Sequence, residues 1–153
     1  MDVLDLLNSR PLINGEERDA LDRPWAREHG GDGSAAELEL LRRARDLLRD
    51  VVRGGSSPVV LRPLLDGVRQ VPGVSAEGLH WSVEAPPHAR LAVEAVLDWA
   101  ALEKDLPGRL RACANDECQL FLLDRSRANR ARWCSMAACG NREKARRHYQ
   151  RNH

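Results

Sequence analysis

The four cysteines of this chain, Cys113, Cys118, Cys134 and Cys139, form two Cys-x4-Cys pairs separated by fifteen residues, all in its last third. A divalent zinc ion takes soft or borderline ligands in a tetrahedron, and a full set of thiolates leaves no position open for a substrate. The chemistry expected is structural: one Zn2+ held by Cys113, Cys118, Cys134 and Cys139, with the intervening segment shaped by the metal. Two disulfides, in any of three pairings, are the competing reading. The opening MDVLDLLNSR has acids at Asp2 and Asp5 and no apolar run of signal-peptide length. A reducing, cytoplasmic setting is therefore expected, and there thiols bind metal rather than oxidise.

No catalytic constellation accompanies the cysteines. The histidines, at 29, 80, 88, 148 and 153, are scattered, and none stands at i, i+4 from another as a metalloprotease requires. There is no phosphate loop, no dinucleotide fingerprint and no nucleophile elbow, so no enzyme is expected. Asp5, Asn8 and Trp25 could line a small polar pocket, but capping and core packing are the preferred roles.

The elements that must position the cysteines are short. Residues 119–123 (QLFLL) suit a strand, 124–129 (DRSRAN) a turn and 130–134 (RARWC) the returning strand, a hairpin between the pairs. From Ser135 the composition turns helical to about residue 150, with Cys139 in an early turn. The order of knuckle, hairpin and ligand-bearing helix is treble-clef-like.

The string Arg132-Trp133-Cys134-Ser135-Met136-Ala137-Ala138-Cys139-Gly140-Asn141-Arg142, followed by Lys144 and a basic tail, resembles the CGNR zinc finger. Arg109-Leu110-Arg111 before the first pair, the apolar segment after Cys118 and the Ser126-Arg127 turn match that family too. The finger of this family commonly follows an N-terminal ABATE domain, and the opening Leu4-Asp5-Leu6-Leu7-Asn8-Ser9-Arg10, with Gly15 and Leu21, resembles its start. Ser9 stands where threonine is most expected. The resemblance implies a stress-induced bacterial transcriptional regulator with DNA as partner.

Charge is divided along the chain. Residues 109–153 hold eleven arginines or lysines against four acids, +7, which leaves thirteen against nineteen, −6, in the other 108. Clustered arginine is the footprint of phosphate binding, because each contact releases condensed counterions. The candidate nucleic-acid contacts are Arg125, Arg127, Arg130 and Arg132 on the expected hairpin, and Arg142, Lys144, Arg146, Arg147 and Arg151 on the helix. On that helix Arg142, Arg146 and Tyr149 share one stripe and Lys144, Arg147 and Arg151 the next. Asn141 is expected to donate to the thiolates, which need hydrogen-bond donors, and Gly140 to allow close packing beside the metal.

The preceding 107 residues are long enough for one core. A helix is expected over 34–52, with Ser34 and Glu37 as a capping box, and another over 88–104. A shorter one containing Pro63 falls between them, residues 79–84 alternate like a strand, Asn14-Gly15 signals a turn, and 3–7 is helix or strand. The fold class expected is mainly α with minor β: a helical domain over 1–107 and a four-cysteine finger over 109–153. No stretch is long enough to cross a membrane. The function expected is a DNA-binding transcriptional regulator, with a small-molecule or protein signal received by the first domain and homo-oligomerisation compatible with it. The alternative is a zinc-stabilised RNA-binding or protein-interaction adaptor, redox-sensitive through its cysteines.

Overall fold

Asp2 opens the first helix, α1 (Val3–Leu7), by accepting from the Leu4 amide at 2.8 Å, and Val3, Leu6 and Leu7 are fully buried. The computed structural model describes residues 1–13 and 15–151, the last without its side chain. Strands β1 (Leu12–Ile13) and β2 (Glu16–Glu17) pair antiparallel, Leu12 opposite Glu17. Asn14 of the expected turn lies outside the described residues, as does His153. Helix α2 (Arg23–Glu28) starts at an Asp22 cap with proline in its first turn.

The main helix, α3 (Ala35–Val52), has the expected Ser34 cap, whose hydroxyl accepts from the Glu37 amide at 3.2 Å. Glu37 reaches one residue further back than a capping box requires, accepting from the Gly33 amide at 2.7 Å while itself buried. Its apolar stripe buries Leu41, Ala44 and Leu48, and Arg45 and Arg49 are buried with them. Arg45 pairs with Asp19 at 2.7 Å and donates to the Ser9 hydroxyl at 3.0 Å. Arg49 donates to the carbonyls of Leu7 and Gln119 and lies over the Phe121 ring. Gly54, at φ +77°, ends the helix.

The segment Pro58–Leu65 is a 3-10 helix, because Pro63 has no amide hydrogen to continue an α-helical ladder. It leads into a hairpin of β3 (Arg69–Ser75) and β4 (Gly78–Glu84), paired from Arg69 opposite Glu84 to Ser75 opposite Gly78. After a short 3-10 turn over Pro87–Ala89, α4 (Arg90–Asp105) buries Leu91, Ala92, Val93, Ala95 and Val96. Prolines 86 and 87 delay its α-helical start to Arg90 rather than residue 88.

Beyond α4, β5 (Leu110–Ala112) pairs antiparallel with β6 (Phe121–Leu123), Leu110 opposite Leu123 and Ala112 opposite Phe121. This corrects the expected hairpin: residues 130–134 form no strand, and the first cysteine pair sits at the tip of the strand pair. Burial explains the choice, since β5 and β6 contribute Leu110, Phe121 and Leu122 to the interior whereas 130–134 alternates exposed arginines. Leu110 and Phe121 belong to the same apolar cluster as Leu6, Leu41, Leu48, Leu91 and Ala95, so one core spans α1, α3, α4 and the β5–β6 pair. A π turn over Met136–Gly140 runs directly into α5 (Asn141–Arg151). The chain is mainly helical with minor strand content, and among the described residues no helix is long and apolar enough to cross a membrane.

Candidate metal centre

The strand pair continues past Ala112: the Cys113 amide donates to the Leu120 carbonyl at 2.9 Å, and a turn closed by Cys118 N to Asn115 O at 2.8 Å bends the chain between them. Cys113 and Cys118 thus face each other across a knuckle. The second pair is brought back by one backbone bond, Ala114 N to Arg132 O at 2.8 Å. Ser135 then caps the π turn by accepting from Ala138 N at 3.4 Å, which places Cys139 just before α5.

All four Sγ atoms lie within 4.8 Å of one another, and Cys134 Sγ stands 3.7 Å from both Cys118 Sγ and Cys139 Sγ. A Zn–S bond of about 2.3 Å in a tetrahedron gives an S···S edge of about 3.8 Å. The sulfurs therefore already outline a zinc cage, and the geometry is that of one structural site with four thiolate ligands. Burial raises the Cys118 and Cys134 thiols, and neighbouring sulfurs raise Cys134 further. At Cys139 burial acts the same way, but the Asn115 hydrogen bond and the other thiols outweigh it and lower the group. Thiolates so close repel one another, and a dication among them removes that cost. When bound, zinc would tie the knuckle, the loop after β6 and the start of α5 to one point.

Donors soften the charge that remains. Leu120 N reaches Cys118 Sγ at 3.5 Å, Cys134 N reaches Cys113 Sγ at 3.4 Å, and the buried Asn115 amide reaches Cys139 Sγ at 3.5 Å. The side-chain donor is thus Asn115 and not Asn141, whose amide turns to the Ala137 carbonyl at 3.4 Å as the chain enters α5. Gly140 is buried, and a Cβ there would lie 2.7 Å from Met136 Sδ and 3.4 Å from the Trp133 ring.

The ten residues between β6 and Cys134 are organised by Asp124, which is 2 % exposed. Its carboxylate accepts from Ser126 N at 2.9 Å and Ala131 N at 2.8 Å and faces Arg111 at 3.4 Å, and these contacts hold it below the usual carboxylate range. Arg109 supports the loop from the other side, donating to the carbonyls of Asp124 and Ser126, and Asn129 takes the left-handed conformation at φ 48°. The result is a clamped loop that leaves Arg125, Arg127, Arg130 and Arg132 exposed. Arg132 lies 5.3 Å from the centre of the Trp133 ring.

On α5, Arg142, Lys144, Arg146 and Arg147 are all exposed; the Arg151 side chain lies outside the described residues. Glu143 pairs with Arg146 at 3.2 Å and Arg147 at 3.0 Å. Among the described residues, no carboxylate lies within ion-pair distance of Arg125, Arg127, Arg130, Arg132, Arg142 or Lys144. The loop and helix groups both start from the cluster, at Cys134 and Cys139.

Sequence reasoning missed Asn115, Asp124 and Arg49, and for Asn8, which does cap α1, it missed the partner strand. Asp124-x-Ser126 is an Asx-turn pattern and was open to recognition. The others act through contacts distant in sequence. Asn8 pairs with β6 as a strand would, donating to Phe121 O at 3.1 Å and accepting from Phe121 N at 2.7 Å.

No curated protein matches the chain. Residues 109–152 match the family model described as the CGNR zinc finger, and this segment with its cluster of Cys113, Cys118, Cys134 and Cys139 is a CGNR zinc-finger domain.

Proposed function

We propose that this protein is a cytoplasmic, stress- or signal-responsive bacterial transcriptional regulator. In this reading residues 109–153 bind DNA, and an ABATE-like part over 1–107 receives a small-molecule or protein signal. The observation that carries it is the set of exposed cations on the clamped loop and α5, six of which have no carboxylate partner among the described residues. A polyanion supplies what those groups lack, and releases its counterions on contact. The order of knuckle hairpin followed by a ligand-bearing helix is treble-clef-like, and along α5 Glu143 is the one partly buried side chain among the described residues. An α-helix fits the major groove, where arginine reads guanine edges bidentately, and the loop arginines reach flanking phosphates.

Binding of the zinc-loaded protein to random-sequence duplex should weaken steeply with salt. Arg142→Ala with Lys144→Ala should reduce the slope of log K against log salt by about 0.9 for each phosphate no longer neutralised. Arg146→Ala with Arg147→Ala should have the smaller effect, since Glu143 already neutralises part of that charge. Salt-independent binding, or none, would sink the reading in favour of an adaptor that binds RNA or protein. Selection from random oligonucleotides then reads specificity.

A second, compatible reading is redox control. Cys118 and Cys134 are half-exposed, 3.7 Å apart, and line a cavity of about 330 Å³ open to solvent. Peroxide would oxidise this pair to a disulfide and release the metal. Zinc release measured with a chromophoric chelator should track peroxide dose and reverse on reduction; retention of zinc at saturating peroxide excludes it.

A further inference from the structure

The β3–β4 hairpin is built for a partner that the single chain does not supply. Its register places Gln70, Pro72 and Val74 opposite Val83, Trp81 and Leu79, so these six side chains share one face. Five are apolar, yet Val74 is 81 % exposed, Leu79 68 % and Trp81 60 %. The other face is more polar: His80 lies over Gly73, where a Cβ would sit 2.6 Å from its ring, Arg69 pairs with Glu84, and Val71 is its exposed apolar side chain. Two strands alone are marginal in water, and a hairpin needs its apolar face covered to persist. An exposed patch of this kind marks a contact surface.

The cover is present on the same chain, in a place its own hairpin leaves open. Between the 3-10 helix and α4 lies an open groove of about 440 Å³, whose apolar walls are Leu61, Leu65, Val96, Leu97, Trp99 and Ala100. Arg62 and Asp66 edge it. The hairpin follows the 3-10 helix and returns to the start of α4, its apolar side chains are exposed, and none of its residues lines the groove.

We propose that the occupant is a second copy of this chain: in a two-fold dimer, the apolar face of each β3–β4 hairpin covers the groove of the other. A projecting apolar knob and an open apolar groove on one surface are what an isologous contact requires. Charge agrees with this pairing. Glu77 at the hairpin tip and Arg62 at the groove edge each have no ionic partner among the described residues, and crossing the hairpins offers each an opposite charge. Pro72 removes an edge donor from β3, which disfavours open-ended strand addition there and leaves the face as the contact. The inference goes beyond the nucleic-acid reading and does not rest on it.

Light scattering on the full zinc-loaded chain, coupled to size exclusion over a range of micromolar concentrations, tests this. The wild type should run at twice 17.1 kDa. Trp81→Asp on the hairpin, Leu79→Ser beside it and Ala100→Arg in the groove should each give a monomer with unchanged zinc content and far-UV spectrum. Mixing Trp81→Asp with Ala100→Arg should restore dimers, because one intact knob meets one intact groove and the new charges face each other. A monomeric wild type overturns the proposal, and so does a dimer that survives both the hairpin and the groove variants. A wild-type monomer whose Trp81 fluorescence changes only with another macromolecule likewise assigns the face elsewhere.

Discussion

Asn115 acts at the cluster through a single hydrogen atom, which it directs to Cys139 Sγ from a position 8 % exposed. Donors of this kind offset the negative charge of a four-thiolate zinc site, and their loss costs about 10–100-fold in metal affinity. Asn115→Ala should show that loss in competition with a chromophoric chelator, while Asn141→Ala should leave zinc affinity unchanged. Asp19 makes the complementary case for protons. The side-chain hydrogen bond from Arg45 dominates its environment, and its pKa is lowered from 3.8 to about 2. A carboxyl whose folded value lies below its unfolded one contributes its full stability above the unfolded value and loses it as pH falls through the folded one. The unfolding midpoint in urea should therefore fall between pH 3.8 and about 2, and Asp19→Asn should lower it at neutral pH and flatten that acid limb.

Among the elements, β6 shows how the metal centre is attached to the helices. One edge of Phe121 pairs with Ala112 of β5, and its peptide is gripped by Asn8 at the end of α1. Two hydrogen bonds at a partly buried site are worth about 1–3 kcal/mol together. Asn8→Ala should lower stability by about that amount and reduce hydrogen-exchange protection at the Phe121 amide, with zinc stoichiometry intact. The loop after β6 depends in the same way on Asp124, which accepts from Ser126 and Ala131 while holding Arg111. In Asp124→Ala the Ser126 and Ala131 amides should exchange freely. On the proposed DNA-binding reading, affinity should then fall although no arginine is removed, because the arginines no longer leave a clamped frame. Unchanged exchange at both amides would show that the loop is held by other contacts.

At the scale of the molecule, one core and one metal cluster share the work of holding the C-terminal region. Leu110 and Phe121 lie in the helical core, while α5 and the arginine loop hang from Cys134 and Cys139. Chelation of zinc from wild type should therefore be graded. The α3 and α4 helical signal should persist, α5 should lose protection from exchange, and the proposed DNA binding should disappear. Complete loss of far-UV helicity on chelation would instead make the metal a keystone of the whole fold. Buried Arg49 ties these parts together, reaching Leu7 O at 3.3 Å and Gln119 O at 2.9 Å from the last turn of α3. Burial lowers its pKa to about 10, and among the described residues no carboxylate lies within ion-pair distance of it. At neutral pH the charge is retained and solvated by carbonyls and by the Phe121 ring.

The sequence by itself determined the features that depend on near neighbours. Four cysteines at Cys-x4-Cys spacing form the cage, Ser34 and Gly54 bound α3, and the alternation over 79–84 becomes β4. Capping, helical periodicity and knuckle geometry are satisfied within a few residues, so they can be read along the chain. Tertiary structure decided what depends on distant partners. β6 chose β5 over 130–134 because Phe121 and Leu110 reach a core made of α1, α3 and α4. Arg45 and Arg49 lie on the flank of an amphipathic helix, and partners brought in from far along the chain, Ser9 and Asp19 for the first and the carbonyls of Leu7 and Gln119 for the second, make their burial affordable. The donor at the metal moved from Asn141 to Asn115 for the same reason: α5 takes up the nearer amide, while the knuckle aims the distant one at sulfur.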